Sequence, residues 1–267
     1  MPDTNQKICY LISICQIAVV VSLLWTLPVA QTYAQTYAQT QTRNRAHTLI
    51  DQMEALYRGE TSQARITMKV ITPQYQRVMN LSTISQGTDK FFIRVLSPRR
   101  DSGITTLKLG EEMWNYFPKI DKVIKVPPSM MMGSWMGSDF TNDDLVKETT
   151  LSDDYDLSLT ETPEQYSITL LPHAQTITVW GKIKYIIDKN LLVPVAQHYY
   201  DDRGVLIRTL TFSDLKDYDG RLLPSHLEMN TLNKPGHSTH ITYETLEFDP
   251  DNIPDNVFTL RNLQSRS

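Results

Sequence analysis

The stretch Arg65-Ile66-Thr67-Met68-Lys69-Val70 alternates polar and apolar side chains without a break. Because successive side chains of a β-strand point to opposite faces, this period of two predicts a strand with one polar and one apolar face. The same period recurs along most of the chain that follows, and short segments rich in Gly, Asp, Asn and Pro separate the repeats as turns do. The predicted strands are 65–70, 77–85, 90–96, 104–109, 113–117, 122–126, 156–160, 165–171, 176–179, 182–187, 193–200, 205–212, 222–231 and 240–248.

Strands at such short intervals, with little helix between them, indicate a mainly β fold. We expect a single antiparallel sheet that curves strongly into an unclosed barrel and has an apolar concave face. The charged residues that alternate with apolar ones along these strands are expected to face water. This favours a soluble sheet over an outer-membrane barrel, in which an apolar band faces the lipid. These charged residues include Arg65, Lys69, Arg94, Lys108, Lys182, Lys184 and Arg208.

Helix is expected at the beginning of this β-rich region. Apolar residues between Ala46 and Tyr57 recur three and four positions apart, which predicts one amphipathic helix that ends near Gly59. Residues 35–44 continue a Gln- and Thr-rich repeat and are interpreted as a low-complexity linker. Because no linker interrupts the remainder, residues 45–267 are predicted to form one domain.

The first segment of the chain has the features of an export signal. No charged residue occurs between Lys7 and Arg43, and residues 8–27 are almost continuously apolar. Small residues follow, so residues 1–34 are predicted to be a signal peptide cleaved after Ala34, with Ala38 as an alternative cleavage position. The other interpretation is an uncleaved inner-membrane anchor, since about 20 apolar residues can span a bilayer. The predicted location is therefore the periplasm, with anchoring to the inner membrane as the alternative.

The cysteine content and the charge exclude several classes of protein. Cys9 and Cys15 are the two cysteines, and both lie inside the predicted signal. After its removal the chain could form no disulfide, thiol nucleophile or cysteine-based metal site. The formal net charge of −4 shows no basic excess, which argues against binding to nucleic acid.

The most unusual composition is found in residues 126–140, which hold four of the ten methionines together with Trp135 and Phe140. Methionine is flexible and polarizable, so it suits surfaces that accept ligands of variable shape. The prolines and glycines of this segment predict an irregular lid over the sheet. The alternative is that these side chains plug one end of the core.

Little in the sequence points to catalysis. Thr141 and Asp144 have the spacing of a capping box, for which a structural role is expected. A zinc-protease motif, a hydrolase nucleophile elbow, a phosphate-binding loop and a dinucleotide fingerprint do not occur. His237 and His240 would point to opposite faces of a strand. We therefore expect no catalytic residue, no metal site and no cofactor.

Two motifs nevertheless resemble a known family. The first runs from Trp114 to Pro118 with Tyr116 between them, and the second is Met136-Gly-Ser-Asp-Phe-Thr-Asn-Asp-Asp-Leu145. Together they are similar to the outer-membrane lipoprotein-sorting protein family, and in particular to its Lol-type periplasmic carriers. The resemblance covers roughly residues 46–263. The matching positions are Trp114, Tyr116, Pro118, Gly137, Ser138, Asp139, Phe140, Asp144 and Leu145.

This resemblance implies an unclosed antiparallel barrel, capped by helices, that shields acyl chains while they cross the periplasm. It implies an acylated lipoprotein or lipid as the ligand, and inner-membrane export machinery and an outer-membrane acceptor as partners. The best-known carriers of this kind latch their lid with a buried arginine, which the two motifs do not include.

The predicted ligand-binding residues are those on the apolar strand faces and in the methionine-rich lid. Two alternatives stay open: an envelope hydrolase of lipid or phosphate substrates using Ser134, His198 and Asp139, and a docking component of an envelope export complex. The predicted lining of the acyl cleft and lid comprises Ile66, Met68, Val70, Met79, Leu81, Phe91, Ile93, Leu107, Trp114, Tyr116, Met130, Met131, Met132, Trp135, Met136, Phe140, Tyr185 and Ile187.

Overall fold

The computed structural model describes residues 40–57, 59–147, 151–251, 253–254 and 256–265. The predicted signal peptide, residues 1–34, lies outside the described residues. In the part of the chain that is described, no helix is both long and apolar enough to cross a membrane.

The described residues form thirteen strands and a few short helices after an N-terminal helix, α1, at residues 40–55. The short helices are α2 (Asn142–Lys147), α3 (Leu151–Asp154) and α4 (Leu260–Leu263). The strands are β1 (Thr61–Ile71), β2 (Gln76–Gln86), β3 (Lys90–Ser97), β4 (Thr105–Leu109), β5 (Glu112–Phe117), β6 (Lys122–Lys125), β7 (Tyr155–Glu161), β8 (Gln165–Pro172), β9 (Lys182–Asp188), β10 (Pro194–Tyr200), β11 (Leu206–Tyr218), β12 (Arg221–Thr231) and β13 (Ser238–Phe248).

All thirteen strands belong to one antiparallel sheet in the order β6-β5-β4-β3-β2-β1-β13-β12-β11-β10-β9-β8-β7. The sheet consists of two meanders, β1–β6 and β7–β13, which are joined where β1 pairs with β13. Among the described residues β6 and β7 form the two edges and do not pair with each other, so the barrel is not closed. The prediction of a mainly β fold with one unclosed antiparallel sheet is confirmed.

Bulges bend the sheet at several points. One lies between β1 and β13, where the pairing shifts after Arg65 and leaves Glu244 without an opposite residue. Others interrupt the pairing of β2 with β3 after Asn80 and of β10 with β11 after Tyr199. Because a bulge adds twist and kinks its strand, the sheet curls and brings its two halves around one interior.

Apolar residues pack on both faces of the sheet. On the inner face, one cluster contains Met68 and Leu81 of the first meander, and another contains Leu210 and Met229 of the second. On the outer face of β2–β6, a third cluster is covered by the C-terminal segment at residues 253–263. Members of this outer cluster include Phe92, Leu107, Tyr116, Val257 and Leu263.

Two predicted element assignments differ from the structure. Residues 176–179 do not form a strand, because the Thr176 amide donates to the His173 carbonyl at 3.0 Å and its hydroxyl donates to the Asp154 carbonyl at 2.8 Å. Ile177 and Val179 are accordingly 78% and 53% exposed. The second difference concerns helix α1, which includes residues 40–44, where the sequence predicts a low-complexity linker. The described part of this helix ends at residue 55.

The prediction that Lys108 and Arg208 face water is wrong. They are 3% and 2% exposed, respectively. Alternation sorts residues onto two faces but does not say which face is inside, and Arg208 shares the inner face of β11 with Leu210 and Phe212. Each buried cation has an acceptor, as burial of charge requires: Lys108 donates to the Thr88 carbonyl, and Arg208 pairs with Asp144.

Candidate functional site

A cavity of about 180 Å³ lies inside the curled sheet. Its walls are mostly apolar and come from both meanders, for example Met68 and Leu81 on one side and Leu210 and Met229 on the other. One water needs roughly 10–15 Å³ by the same measure, so the space is on the order of ten times larger than a single-water void. The mostly apolar walls therefore suit an apolar ligand.

One wall of the cavity belongs to residues 127–147, which we name the cover segment. It contains two 3₁₀ turns, Pro128–Met130 and Trp135–Gly137, followed by α2. Trp135, Phe140 and Leu145 of this segment line the cavity. The chain reverses at Gly137, whose φ of 72° lies in the left-handed region that favours glycine.

Residues at the end of α1 form a second part of the wall. Met53, Glu54 and Tyr57 line the cavity. The Tyr57 ring stacks on Tyr243 of β13 at a centroid distance of 5.2 Å, and its hydroxyl donates to the Pro224 carbonyl at 3.0 Å. The cavity is thus enclosed by the sheet, the cover segment and this end of α1.

The start of α2 within the cover segment has the predicted capping box. The Asp144 amide donates to Thr141 Oγ1 at 3.1 Å, and the Thr141 amide donates to Asp144 Oδ2 at 2.7 Å. These reciprocal bonds satisfy two backbone donors that a helix start would otherwise leave open.

We expect Thr141→Ala to lower the free energy of unfolding by about 1 kcal/mol, because the cap is lost while the apolar wall is kept. Thr141→Ser retains the hydroxyl and is expected to stay close to the wild type. Urea denaturation of both variants measures the difference. Equal losses for alanine and serine would show that the hydroxyl does not stabilise the cover segment.

Arg208 and Asp144 form a buried ion pair between β11 and the cover segment. The guanidinium donates through Nη1 to Oδ2 at 2.8 Å and through Nη2 to Oδ1 at 2.6 Å, and its side chain is 3% exposed. Its Cζ lies over the rings of both Trp180 and Tyr199, at centroid distances of 4.7 and 4.2 Å. Two-point pairing and aromatic stacking both suit the planar guanidinium.

The environment of Arg208 keeps the group charged. Burial by itself lowers the pKa of Arg208, but the Asp144 carboxylate and Tyr199 outweigh this and raise it above the ordinary value. Nε of Arg208 has no hydrogen-bond partner among the described residues. Asp144 of the cover segment is thus the carboxylate paired with this charge, and separating Asp144 from Arg208 would leave a buried cation without it.

Further polar contacts hold the cover segment to both meanders. The Asp139 carboxylate accepts hydrogen bonds from Thr231 of β12 and Thr239 of β13, each at 2.8 Å. On the other side, Trp135 Nε1 donates to Thr106 of β4 at 3.2 Å, and Arg77 of β2 donates to the Met136 carbonyl. The cover segment is thus fixed by polar groups while it presents apolar side chains to the cavity.

Part of the cavity wall is polar and carries charges of both signs, because Lys108, Glu54, Asp143 and Asp144 line it. Ser62 and Ser85 share a hydrogen bond of 2.7 Å between their hydroxyls, and both line the cavity with Lys108. The remaining wall is largely apolar. Such a division can accept an amphipathic molecule, whose chain avoids water and whose polar group finds hydroxyls and charged groups.

The structure brings many of the predicted ligand-binding residues to the cavity. Those that line it are Ile66, Met68, Leu81, Phe91, Ile93, Trp135, Phe140 and Tyr185. Others pack in the inner apolar clusters without being part of the lining: Val70, Met79, Met131, Met136 and Ile187. Met130 is exposed and Met132 is half-buried.

Three predicted residues lie elsewhere. Leu107, Trp114 and Tyr116 belong to the outer cluster, beneath the C-terminal segment. The same strands also contribute to the inner face, but through the neighbouring residues whose side chains point the other way, such as Lys108. The two aromatic positions of the first family motif are therefore part of the outer packing and lie outside the cavity lining.

The candidate hydrolase residues make other contacts. The Ser134 hydroxyl donates to the Ser138 carbonyl, while the Asp139 carboxylate is bound by two threonines. His198 lies on β10, where burial and then Lys184 lower its pKa. Among the described residues no hydrogen bond joins the three side chains, so they do not form a nucleophile–base pair.

The sequence interpretation missed the role of Arg208. The alternation along β11 contained a signal for it. Arg208, Leu210 and Phe212 fall on one face of the strand, while Thr209 and Thr211 fall on the other. An arginine in register with apolar residues is buried only with an anionic partner. Asp144 could not be chosen as that partner from the sequence, because the two residues lie on separate elements far apart in the chain.

Comparisons with known proteins agree with this architecture. No curated protein matches the chain. A family model described as "Uncharacterized protein" matches residues 87–265. A DUF1329 family protein from Desulfovibrio piger superposes with a TM-score of 0.76 at 21% identity, covering 84% of this chain and 99% of that one.

Two further solved structures have the same fold. One, described as an outer membrane lipoprotein-sorting protein domain, comes from Vibrio parahaemolyticus and has a TM-score of 0.73 at 20% identity, covering 84% of this chain and 100% of that one. A LolA superfamily protein from Nitrosomonas europaea has a TM-score of 0.66 at 15% identity, covering 81% and 98% of the two chains. The chain therefore belongs to the family whose model it matches over residues 87–265, and it has the fold of the lipoprotein-sorting proteins that its sequence resembles.

Proposed function

We propose that this protein is a periplasmic carrier that binds acyl chains of a lipid or lipoprotein and moves them towards the outer membrane without catalysis. The observation that carries the proposal is the apolar cavity, enclosed by both meanders and by a cover segment that polar contacts hold in place. The lipoprotein-sorting fold of the related structures supports it.

Burial of an acyl chain provides enough free energy for binding without any reactive group. Each methylene removed from water contributes about 0.8 kcal/mol. Ten methylenes would contribute roughly 8 kcal/mol, from which the entropic cost of association is subtracted. An apolar cavity of this kind is therefore sufficient for a carrier.

The polar part of the wall supports an amphipathic ligand. A headgroup placed near Ser62, Ser85 and Lys108 would meet two hydroxyl groups and one positive charge. The acyl chain would then extend along the apolar residues towards Trp135 and Phe140.

Ligand exchange requires the cover segment to move away from the sheet. In the proposed cycle the Arg208–Asp144 pair breaks when the cover segment opens, and it re-forms when the segment closes over the cargo. Arg208 is our candidate for the buried arginine that the sequence resemblance implies. Its position on β11 supports this, because the ion pair is a direct connection between the sheet and the cover segment.

We expect protein isolated from the periplasm to carry an acylated molecule. Native mass spectrometry should show a mass increment that disappears on delipidation, and the delipidated protein should bind one fluorescent fatty-acid probe per chain. A folded protein that has no bound lipid and takes up no acyl probe would contradict the proposal.

The location and the partners are also proposals. The apolar segment at residues 8–27 supports export, and the lipoprotein-sorting fold of the related structures supports an inner-membrane donor and an outer-membrane acceptor. Fractionation of cells that express the chain with and without residues 8–27 tests export. A chain that remains in the inner-membrane fraction would instead favour a retained anchor and a docking role.

A further inference from the structure

Pairing of β12 with β13 brings two histidines and a glutamate together on the outer face of the sheet. Glu228 is directly opposite His240, and His226 lies two residues from Glu228 on the same face of β12. The intervening Leu227, like Ile241 on β13, points inward and lines the cavity. The three polar side chains are therefore separated from the cavity by the sheet itself.

The donor atoms of the three side chains are close to one another. His226 Nε2 is 3.4 Å from His240 Nδ1, and His240 Nδ1 is 3.9 Å from Glu228 Oε2. All three donor atoms lie within 4.8 Å of one another. Two imidazole nitrogens bound to a tetrahedral zinc at 2.0–2.1 Å would be about 3.4 Å apart, which is the distance between His226 Nε2 and His240 Nδ1, whereas the Glu228 carboxylate would have to move closer.

Each of the three side chains is also oriented by a neighbour through the atom that would not bind the metal. His226 Nδ1 contacts Thr242 Oγ1 at 3.1 Å, and His240 Nε2 contacts Ser238 Oγ at 3.1 Å. Glu228 Oε1 accepts a hydrogen bond from Asn230 at 2.8 Å. Metal-binding histidines and carboxylates are usually held by such outer contacts, which fix the orientation of the ring and the carboxylate.

We propose that His226, Glu228 and His240 bind one divalent transition-metal ion, with Zn²⁺ as the best fit. Two imidazoles and a carboxylate are a donor set that zinc uses when a fourth position is left open. The site is partly exposed, so water or a group from a bound molecule can occupy that position. The ion would link β12 and β13 on the face opposite the cavity.

One neighbouring positive charge opposes the binding of a metal ion. Lys69 of β1 is directly opposite His240 and contributes a positive charge to its surroundings. The facing residues of β11, Thr211 and Ser213, are neutral. Glu228 is thus the anion that offsets the charge of an incoming metal, and Lys69 is the cation that weakens its attraction.

The test uses the full chain, purified without a histidine tag, and measures Zn²⁺ binding by titration calorimetry at pH 7.5. We expect one ion per chain and at least a 100-fold weaker binding constant for His226→Ala and for His240→Ala. The matched control is His237→Ala, which removes a neighbouring histidine outside the cluster and should bind as the wild type does. Circular dichroism establishes that each variant is folded.

Two further measurements separate this site from adventitious binding. Co²⁺ should give the visible absorption of four- or five-coordinate cobalt in the wild type, and this signal should be absent in His240→Ala. Lys69→Ala should bind Zn²⁺ several-fold more tightly, whereas Lys216→Ala should not. The proposal is overturned by a lack of stoichiometric binding, by equal affinity of the two histidine variants and the wild type, or by unchanged affinity in Lys69→Ala.

Discussion

Replacing Asp144 by alanine is expected to lower the free energy of unfolding by about 3–5 kcal/mol. The reason is that Arg208, with a side chain that is only 3% exposed, keeps its charge but loses the carboxylate that balances it. The same substitution removes one half of the capping box at the start of α2. Urea denaturation followed by circular dichroism measures the loss. Hydrogen exchange should show faster exchange of the cover-segment amides.

A double variant identifies the buried charge as the cause. Removing both partners in Asp144→Leu/Arg208→Met is expected to be much less harmful than Asp144→Ala alone, because no unpaired ion is left. Glu161→Ala is a suitable control, since its ion pair with Lys189 is solvent-exposed and should contribute less than about 1 kcal/mol. If Asp144→Ala and Glu161→Ala cost the same, the pair does not hold the cover segment.

Introducing a phenyl ring at Ala64 is expected to weaken the binding of an acyl probe about 30-fold. Ala64 is 2% exposed on β1 and lines the cavity, so a larger side chain there would occupy part of the ligand space. Displacing two or three methylenes from the cavity costs about 2 kcal/mol. The change in unfolding free energy should be small compared with a typical overpacked core, because the ring enters existing space.

Ala174→Phe is the matched control for this experiment. It makes the same substitution in an exposed loop after β8, where no cavity residue is affected. Probe titrations of Ala64→Phe, Ala174→Phe and the wild type give the dissociation constants directly. A folded Ala64→Phe variant that binds the probe as tightly as the wild type would place the ligand outside this cavity.

Most of the fold could be predicted from the alternation of side chains and from the turns. Residues 65–70 and 182–187, for example, form parts of β1 and β9 as their period of two predicts. The strand predicted at 176–179 is wrong. Ile177 and Val179 alternate with polar residues there, but the segment pairs with no strand among the described residues. A strand is stabilised by its neighbours, so a local period alone does not establish it.

The site was harder to predict than the fold, because it depends on which face of each strand is inside. Leu107 and Tyr116 are apolar in sequence but pack on the outer face, where the C-terminal segment shields them from water. Arg208 is charged but points inward, because Asp144 compensates it. Both outcomes depend on contacts between distant parts of the chain, and no local pattern encodes those contacts.

The position of the β1–β13 pairing determines when the cavity can exist. Within each meander neighbouring strands are joined by short connections, so they can pair soon after they are synthesised. Ser62 of β1, in contrast, pairs with Phe248 of β13, which is near the end of the domain and is synthesised much later. A nascent chain that stops before β13 could form two separate curved ribbons, each with half of the apolar lining exposed to water. The cavity is therefore complete only after β1 has paired with β13, which makes binding of the cargo depend on the last strand of the sheet.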